Sequence, residues 1–196
     1  MKRLKAPSIR IFAGIWKRRP LEVPEGSRPT AGRAREALFS IVQKRIPGAR
    51  VLDLYAGSGA VGIEAVSRGA ARAVLVEKDA GVLRKNLGRL PPAEEAEIVI
   101  LEEDAARALA GLASTGVRFD LVFCDPPYGT PQERLRALAA DVLSPEGIFV
   151  LQGDRFEETP SLARLTLIDR REYGRNVFFF FGRDASVRVS GRAAPL

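Results

Sequence analysis

Between residues 50 and 152 short continuous apolar runs alternate with stretches of helical period. The runs Arg50–Tyr55, Ala73–Glu77, Glu97–Leu101, Phe119–Cys124 and Ile148–Gln152 read as strands. Helices are expected near Ala60–Arg68, Asp79–Leu90, Ala105–Ala113 and Pro131–Val142. Strands that are apolar on both faces need helices on both faces. The pattern therefore predicts an α/β chain with a doubly wound, mostly parallel sheet. Leu165–Arg171 and Asn176–Phe181, joined at Gly174, break the alternation. They predict an antiparallel C-terminal hairpin that brings the sheet to seven strands, with Phe178 to Phe181 in its core.

Upstream, Ser8–Trp16 alternates apolar and polar residues and reads as one or two short strands, pairing as a hairpin with residues 20–24. Pro24, Gly26 and Pro29 mark a loop, and Thr30 is placed to cap an amphipathic helix over 32–45, stopped by Pro47-Gly48. The expected organisation is a basic arm over 1–30, one domain over 31–183, and a frayed tail over 184–196.

The sequence has no histidine and one cysteine, which excludes imidazole-based hydrolysis, His-ligated zinc and disulfides. No metal site is expected. An unpaired thiol and the absence of a long apolar segment point to a cytoplasmic protein with no membrane partner. The net charge of +7 is uneven: residues 1–45 carry 12 Lys+Arg against 3 Asp+Glu, and the remainder is slightly acidic. Such an arm suits a polyanion, most simply nucleic acid. Its candidate phosphate contacts are Arg10, Lys17, Arg18, Arg19, Arg28, Arg33 and Arg35, with Trp16 as a stacking or core residue.

The segment Asp53-Leu54-Tyr55-Ala56-Gly57-Ser58-Gly59-Ala60-Val61-Gly62 joins the first strand to its helix. Glycines at 57, 59 and 62 allow a tight turn and close approach of backbone to a ligand. Glu77, 18 residues beyond Gly59, ends the next strand where a carboxylate accepts hydrogen bonds from a ribose. An NAD-type loop holds an anionic pyrophosphate. Here Asp53 stands four residues before the first glycine, which favours a cationic nucleoside such as S-adenosylmethionine (AdoMet). Asp104 is either an adenine contact or a helix cap.

Cys124-Asp125-Pro126-Pro127-Tyr128 follows the fourth strand of the alternation, at the carboxyl edge where such sheets bind ligands. The prolines stiffen the turn. The Asp125 carboxylate and the Pro126 carbonyl are placed to accept hydrogen bonds from an exocyclic NH₂, a weak nucleophile in need of orientation. Tyr128 is placed to stack on the base. Cys124 reads as a small buried hydrophobe rather than a nucleophile.

Together the glycine loop and the DPPY turn resemble a class I AdoMet-dependent methyltransferase of the amino-methylating kind. Ile9-Arg10-Ile11 with Gly14 and Trp16, Arg28-Pro29-Thr30 and Arg33-Ala34-Arg35-Glu36-Ala37-Leu38-Phe39 resemble the bacterial small-subunit rRNA methyltransferase D family over about residues 8–182. The resemblance implies methylation of the N2 amine of a 16S rRNA guanine, the one called 966, in the 30S subunit or a late assembly particle, by a monomer. It implies that Asp53, Tyr55, Ala56, Gly57, Ser58 and Gly59 hold the methionine part of AdoMet. Glu77 with Lys78 would hold the ribose, Asp104 with Ala105 the adenine, and Thr30 would close over the cofactor. Asp125, Pro126, Pro127 and Tyr128 would hold the target amine, Asp125 also lying against the cofactor. One departure is Arg18, where the family usually has glycine.

Two other readings stay open at this point, and a third fails. A DNA adenine-N6 methyltransferase uses the same DPPY chemistry, but no segment reads as a target-recognition domain. A non-catalytic RNA-binding protein would not need the intact motifs. An NAD oxidoreductase lacks a hydride-transfer partner.

Overall fold

In the computed structural model, residues 8–26, 32–127, 129, 133–156 and 159–189 are described. A seven-stranded sheet runs in the order β5-β4-β3-β6-β7-β9-β8. Its strands are β3 (Arg50–Leu54), β4 (Arg72–Val76), β5 (Glu97–Leu101), β6 (Phe119–Cys124), β7 (Leu143–Asp154), β8 (Thr166–Tyr173) and β9 (Asn176–Gly182). Neighbours from β5 to β7 are parallel, whereas β9 lies antiparallel between β7 and β8. Two of the expected strands, Glu97–Leu101 and Phe119–Cys124, have the bounds read from the sequence. β7 is longer than expected, because its chain pairs with β6 both at Leu143 and again from Ile148, across an irregularity.

Helices α1 (Gly32–Val42), α2 (Ala60–Ser67) and α3 (Gly81–Leu87) cover one face, while α4 (Ala105–Ser114) and α5 (Glu133–Val142) cover the other. A 3-10 turn, Gln43–Arg45, completes the helical stretch expected over 32–45. The two-residue period of a strand divides the phenylalanine run between the faces. Phe178 and Phe180 pack with α1–α3, and Phe179 and Phe181 with α4 and α5.

The N-terminal hairpin is β1 (Ser8–Arg10) against β2 (Pro20–Glu22). The first strand is shorter than the alternation suggests, because the chain turns at Gly14 with φ +85°. A Cβ there would stand 1.6 Å from the Ser67 carbonyl oxygen, so only glycine fits. The loop is pinned to the end of α2: Ile15 N donates to Ser67 O (2.8 Å) and Trp16 N to Ser67 Oγ (3.0 Å). Beyond Ser67, Gly69 O accepts from Gly48 N just ahead of β3, which places this contact at the amino edge of the sheet. Trp16 is 3% exposed, and its Nε1 donates to Pro91 O (3.0 Å). Its place is in the core, so it is not available to stack on a base. At the other terminus, Val187 is buried against the α1–α3 layer and Arg188 O accepts from Arg45. Residues 184–189 are thus docked rather than frayed; 190–196 lie outside the described residues.

Candidate active site

The chain passes from β3 to its neighbour β4 on one side, while β6 lies on the other, so the carboxyl edge opens at a topological switch point. Register sets what meets there. Leu54 pairs with Val76 and with Cys124, so the next residue along each strand, Tyr55, Glu77 and Asp125, leaves the sheet at one level. Asp125 N approaches Leu54 O at 3.5 Å, and Ala56 N donates to Val76 O at 2.9 Å. The glycine loop and the DPPY turn are therefore side by side.

The loop is shaped from within. Tyr55 (φ +62°), Gly57 (φ +53°) and Gly59 (φ +79°) turn it through left-handed conformations. A Cβ on Gly59 would stand 2.4 Å from Leu83 Cδ1, so that glycine is needed for packing as well as for conformation. A Cβ on Gly57 would meet nothing within 4 Å. The backbone there faces open space, as a ligand cradle requires. Glu77 Oε2 accepts from Gly57 N (2.7 Å) and Glu77 Oε1 from Asp79 N (3.3 Å), tying the cradle to the end of β4. A carboxylate has about four acceptor positions, so these contacts leave capacity for a ribose.

Asp53 is 2% exposed, beneath the loop rather than in it. Its Oδ2 accepts from Gly62 N (2.9 Å), holding the first turn of α2 to β3. Burial pushes its pKa up to about 7, against the pull of the Gly62 N–H; the negative charges of Asp125 and Glu77 push it further up. Asp53, Glu77 and Asp125 are thus near enough for their charges to interact, a grouping that fits a cationic ligand and disfavours a pyrophosphate. Among the described residues no His, Cys, Asp and Glu group could hold a metal.

The remaining candidates divide by position. Asp104 caps α4, its Oδ1 accepting from Ala106 N (3.0 Å) and Arg107 N (3.1 Å). The capping reading is therefore realised, and Ala105 is buried behind it. Ser58 is buried, its carbonyl accepting from Asn86 Nδ2, while Lys78 is exposed. Burial raises the Tyr55 phenol to about 12, with Cys124 and Asp104 adding to the effect. Cys124 is buried and its thiol is pushed far up by desolvation, which removes it as a nucleophile. Pro126 is half-buried and Pro127 exposed; Tyr128, Thr30 and Arg28 lie outside the described residues.

Among the basic candidates, Arg10, Lys17, Arg18, Arg19 and Arg33 are exposed. Arg35 is not: it is 1% exposed, and its Nε bonds Glu64 Oε2 at 3.2 Å. Its Nη2 donates to Arg10 O at 2.6 Å. Glu64, wholly buried, also holds Arg68 (2.6 Å), so an ion-pair network joins α1 to α2. Desolvation lowers the Arg35 pKa and the Glu64 charge opposes it. Arg35 is a structural residue, not a surface phosphate contact. Its signal lay in spacing: Arg35, Leu38, Phe39 and Val42 form one buried stripe of α1.

The sheet order, the antiparallel last hairpin and an acid-lined carboxyl edge define a class I methyltransferase architecture. The chain matches the family model described as conserved hypothetical protein 95 over residues 9–182. It is 36% identical over 186 residues to the ribosomal RNA small subunit methyltransferase D of Escherichia coli, covering 90% of this chain and 91% of that one. A structure of a hypothetical protein from Thermus thermophilus superposes with a TM-score of 0.74 at 35% identity, over 88% of this chain and 98% of the other. The 16S rRNA N2 G1207 methyltransferase of the same organism, in complex with AdoMet and guanosine, has the same fold (TM-score 0.63, 24% identity, 92% of this chain, 50% of that one). The chain belongs to the conserved hypothetical protein 95 family, together with the small-subunit rRNA methyltransferase D proteins.

Proposed function

We propose that this chain transfers a methyl group from AdoMet to the exocyclic N2 amine of a guanine in 16S rRNA, the one called 966, acting as a monomer on the 30S subunit or a late assembly particle. The observation that carries the reading is the alignment of Asp125 with the glycine loop at one level of the carboxyl edge. The family relationship supports rRNA as the class of substrate.

AdoMet, when bound, supplies an electrophilic methyl on a sulfonium, a leaving group good enough that no strong base is needed. The open backbone at Gly57 and the grouping of Asp53, Glu77 and Asp125 fit it. Gly57 gives the backbone its close approach, and Gly59 packs the loop onto Leu83 behind it. Glu77 fixes that cradle and retains acceptor capacity for the ribose hydroxyls. Asp53 lies beneath the loop without direct exposure and adds negative charge once its proton is displaced. Asp125 and the Pro126 carbonyl accept from the target NH₂, turning its lone pair towards the methyl carbon and holding the base still. Preorganised polar contacts of this kind are worth about 10²–10³ in rate, or roughly 3–4 kcal/mol. A guanine within a helix must be flipped out to reach them.

The test is methyl transfer from labelled AdoMet to undermethylated 30S subunits, free 16S rRNA and duplex DNA, followed by nucleoside analysis. N2-methylguanosine in the RNA is expected, reduced by about 10²–10³ in Asp125→Ala. N6-methyladenosine, or label in DNA alone, would overturn the substrate.

A further inference from the structure

The basic loop of the N-terminal hairpin docks at the amino edge, through Trp16 and Ser67, whereas the target base must reach the carboxyl edge. Substrate contacts near Asp125 must therefore come from other elements. The turn that follows β7 leaves the sheet at the same carboxyl edge as the DPPY turn, because β6 and β7 are parallel, and it projects beyond it, since Cys124 pairs with Leu151 and β7 continues to Asp154. That turn carries Phe156, which is 73% exposed, the most exposed large hydrophobic residue among those described.

A single exposed hydrophobe is ordinary on a protein surface. This one is held in place. Asp154, nearly buried, accepts from Phe156 N through Oδ1 (3.1 Å) and from Arg175 Nε and Nη2 through Oδ2 (3.2 and 2.9 Å). Arg155 N donates to Arg175 O (2.9 Å), so the β8–β9 turn braces the same segment. The Arg155 guanidinium lies over the Phe156 ring, 4.6 Å from its centroid. A flat, exposed ring and guanidinium on a braced turn match the surface on which unpaired bases stack.

We propose that Phe156 and Arg155 form a stacking platform for an unpaired base of the RNA substrate that flanks the target, at the same edge of the sheet as Asp125. The platform rests on the rRNA methyltransferase reading, and its test reads binding independently of methyl transfer. Equilibrium binding of labelled 16S rRNA would be measured for wild type, Phe156→Ala, Phe156→Trp and Arg155→Ala at several salt concentrations, with AdoMet affinity and Tm alongside. Phe156→Ala should weaken RNA binding roughly 5- to 100-fold, as loss of one stacked base does. Its salt slope, AdoMet affinity and Tm should not change, and Phe156→Trp should retain wild-type affinity. Arg155→Ala should also lower the salt slope by about 0.7. Phe156→Ala binding within twofold of wild type would overturn the platform, whatever the methylation result. So would an equal loss in Phe156→Trp. If wild type binds RNA in this pattern yet methylates none, the catalytic reading fails while the platform stands.

Discussion

Replacing Asp53 by asparagine removes a carboxylate that the fold holds neutral near pH 7 while leaving an oxygen to accept from Gly62 N. The wild-type carboxyl sits at about 7 in the fold, against 3.8 unperturbed. Between those values it is neutral when folded and charged when unfolded. Its contribution to stability is therefore complete below about pH 4 and lost as pH rises through 7. A displacement of that size corresponds to about 4 kcal/mol, of which roughly 2–3 kcal/mol falls between pH 5 and pH 8. For a chain of this length, that is about 5–10 °C in Tm. The assay is thermal unfolding of the apoprotein from pH 5 to pH 8. The difference in Tm between wild type and Asp53→Asn isolates this group, because the other titrations are common to both. The variant should gain on wild type as pH rises. In the same window a cationic cofactor must displace the Asp53 proton. AdoMet affinity should thus climb up to about tenfold per pH unit below 7 and level off above, whereas the variant should be weaker and nearly flat. Parallel Tm curves with identical pH profiles of binding would refute the reasoning.

Two further substitutions separate structural from substrate roles in the arm. Arg35→Met should cost roughly 1.5–3 kcal/mol by removing one of the two cations bonded to buried Glu64, which keeps Arg68, and Arg35→Met with Glu64→Leu should recover part of it, since the Arg68 side chain reaches solvent. RNA affinity of the folded single variant should match wild type, and weakened binding without destabilisation would reverse the assignment. Arg18 has φ +69°, a left-handed conformation unfavourable for a side chain. Arg18→Gly should raise stability by about 1 kcal/mol, read as Tm, while reducing the salt slope of RNA binding by about 0.7–0.9. A lower Tm would show that no strain resides there.

The features read most directly from the sequence were those with strong local signals. Apolar runs that need cover on both faces were legible as strands: Phe119–Cys124 has the bounds read from the sequence, and β3 and β4 differ from theirs by one residue. The glycine loop and Asp125 were also visible, because their spacing places them at strand ends. What local pattern cannot show is which partner a side chain finds across the fold. Arg35 reads as a surface charge until Glu64, an acid within an otherwise apolar helix, is brought opposite it. Trp16 reads equally as core or platform until the left-handed turn at Gly14 carries it under Pro91. Phe156 carried no motif at all. Its meaning depends on the parallel pairing of β6 with β7, which brings two distant turns to one edge.

The position of β9 has a consequence for synthesis. It is the last strand among the described residues, yet it is inserted between β7 and β8 and is buried on both sides. A ribosome adding about 5–20 residues per second delivers every other strand first, so β7 waits with an open edge until Phe178–Phe181 arrives. Once made and before it is inserted, that run of four phenylalanines is a short apolar β-prone stretch of the kind that associates between nascent chains. The antiparallel partner β8 is made just before β9, so the hairpin can form as soon as β9 emerges, which shortens the time its phenylalanines stay unpaired.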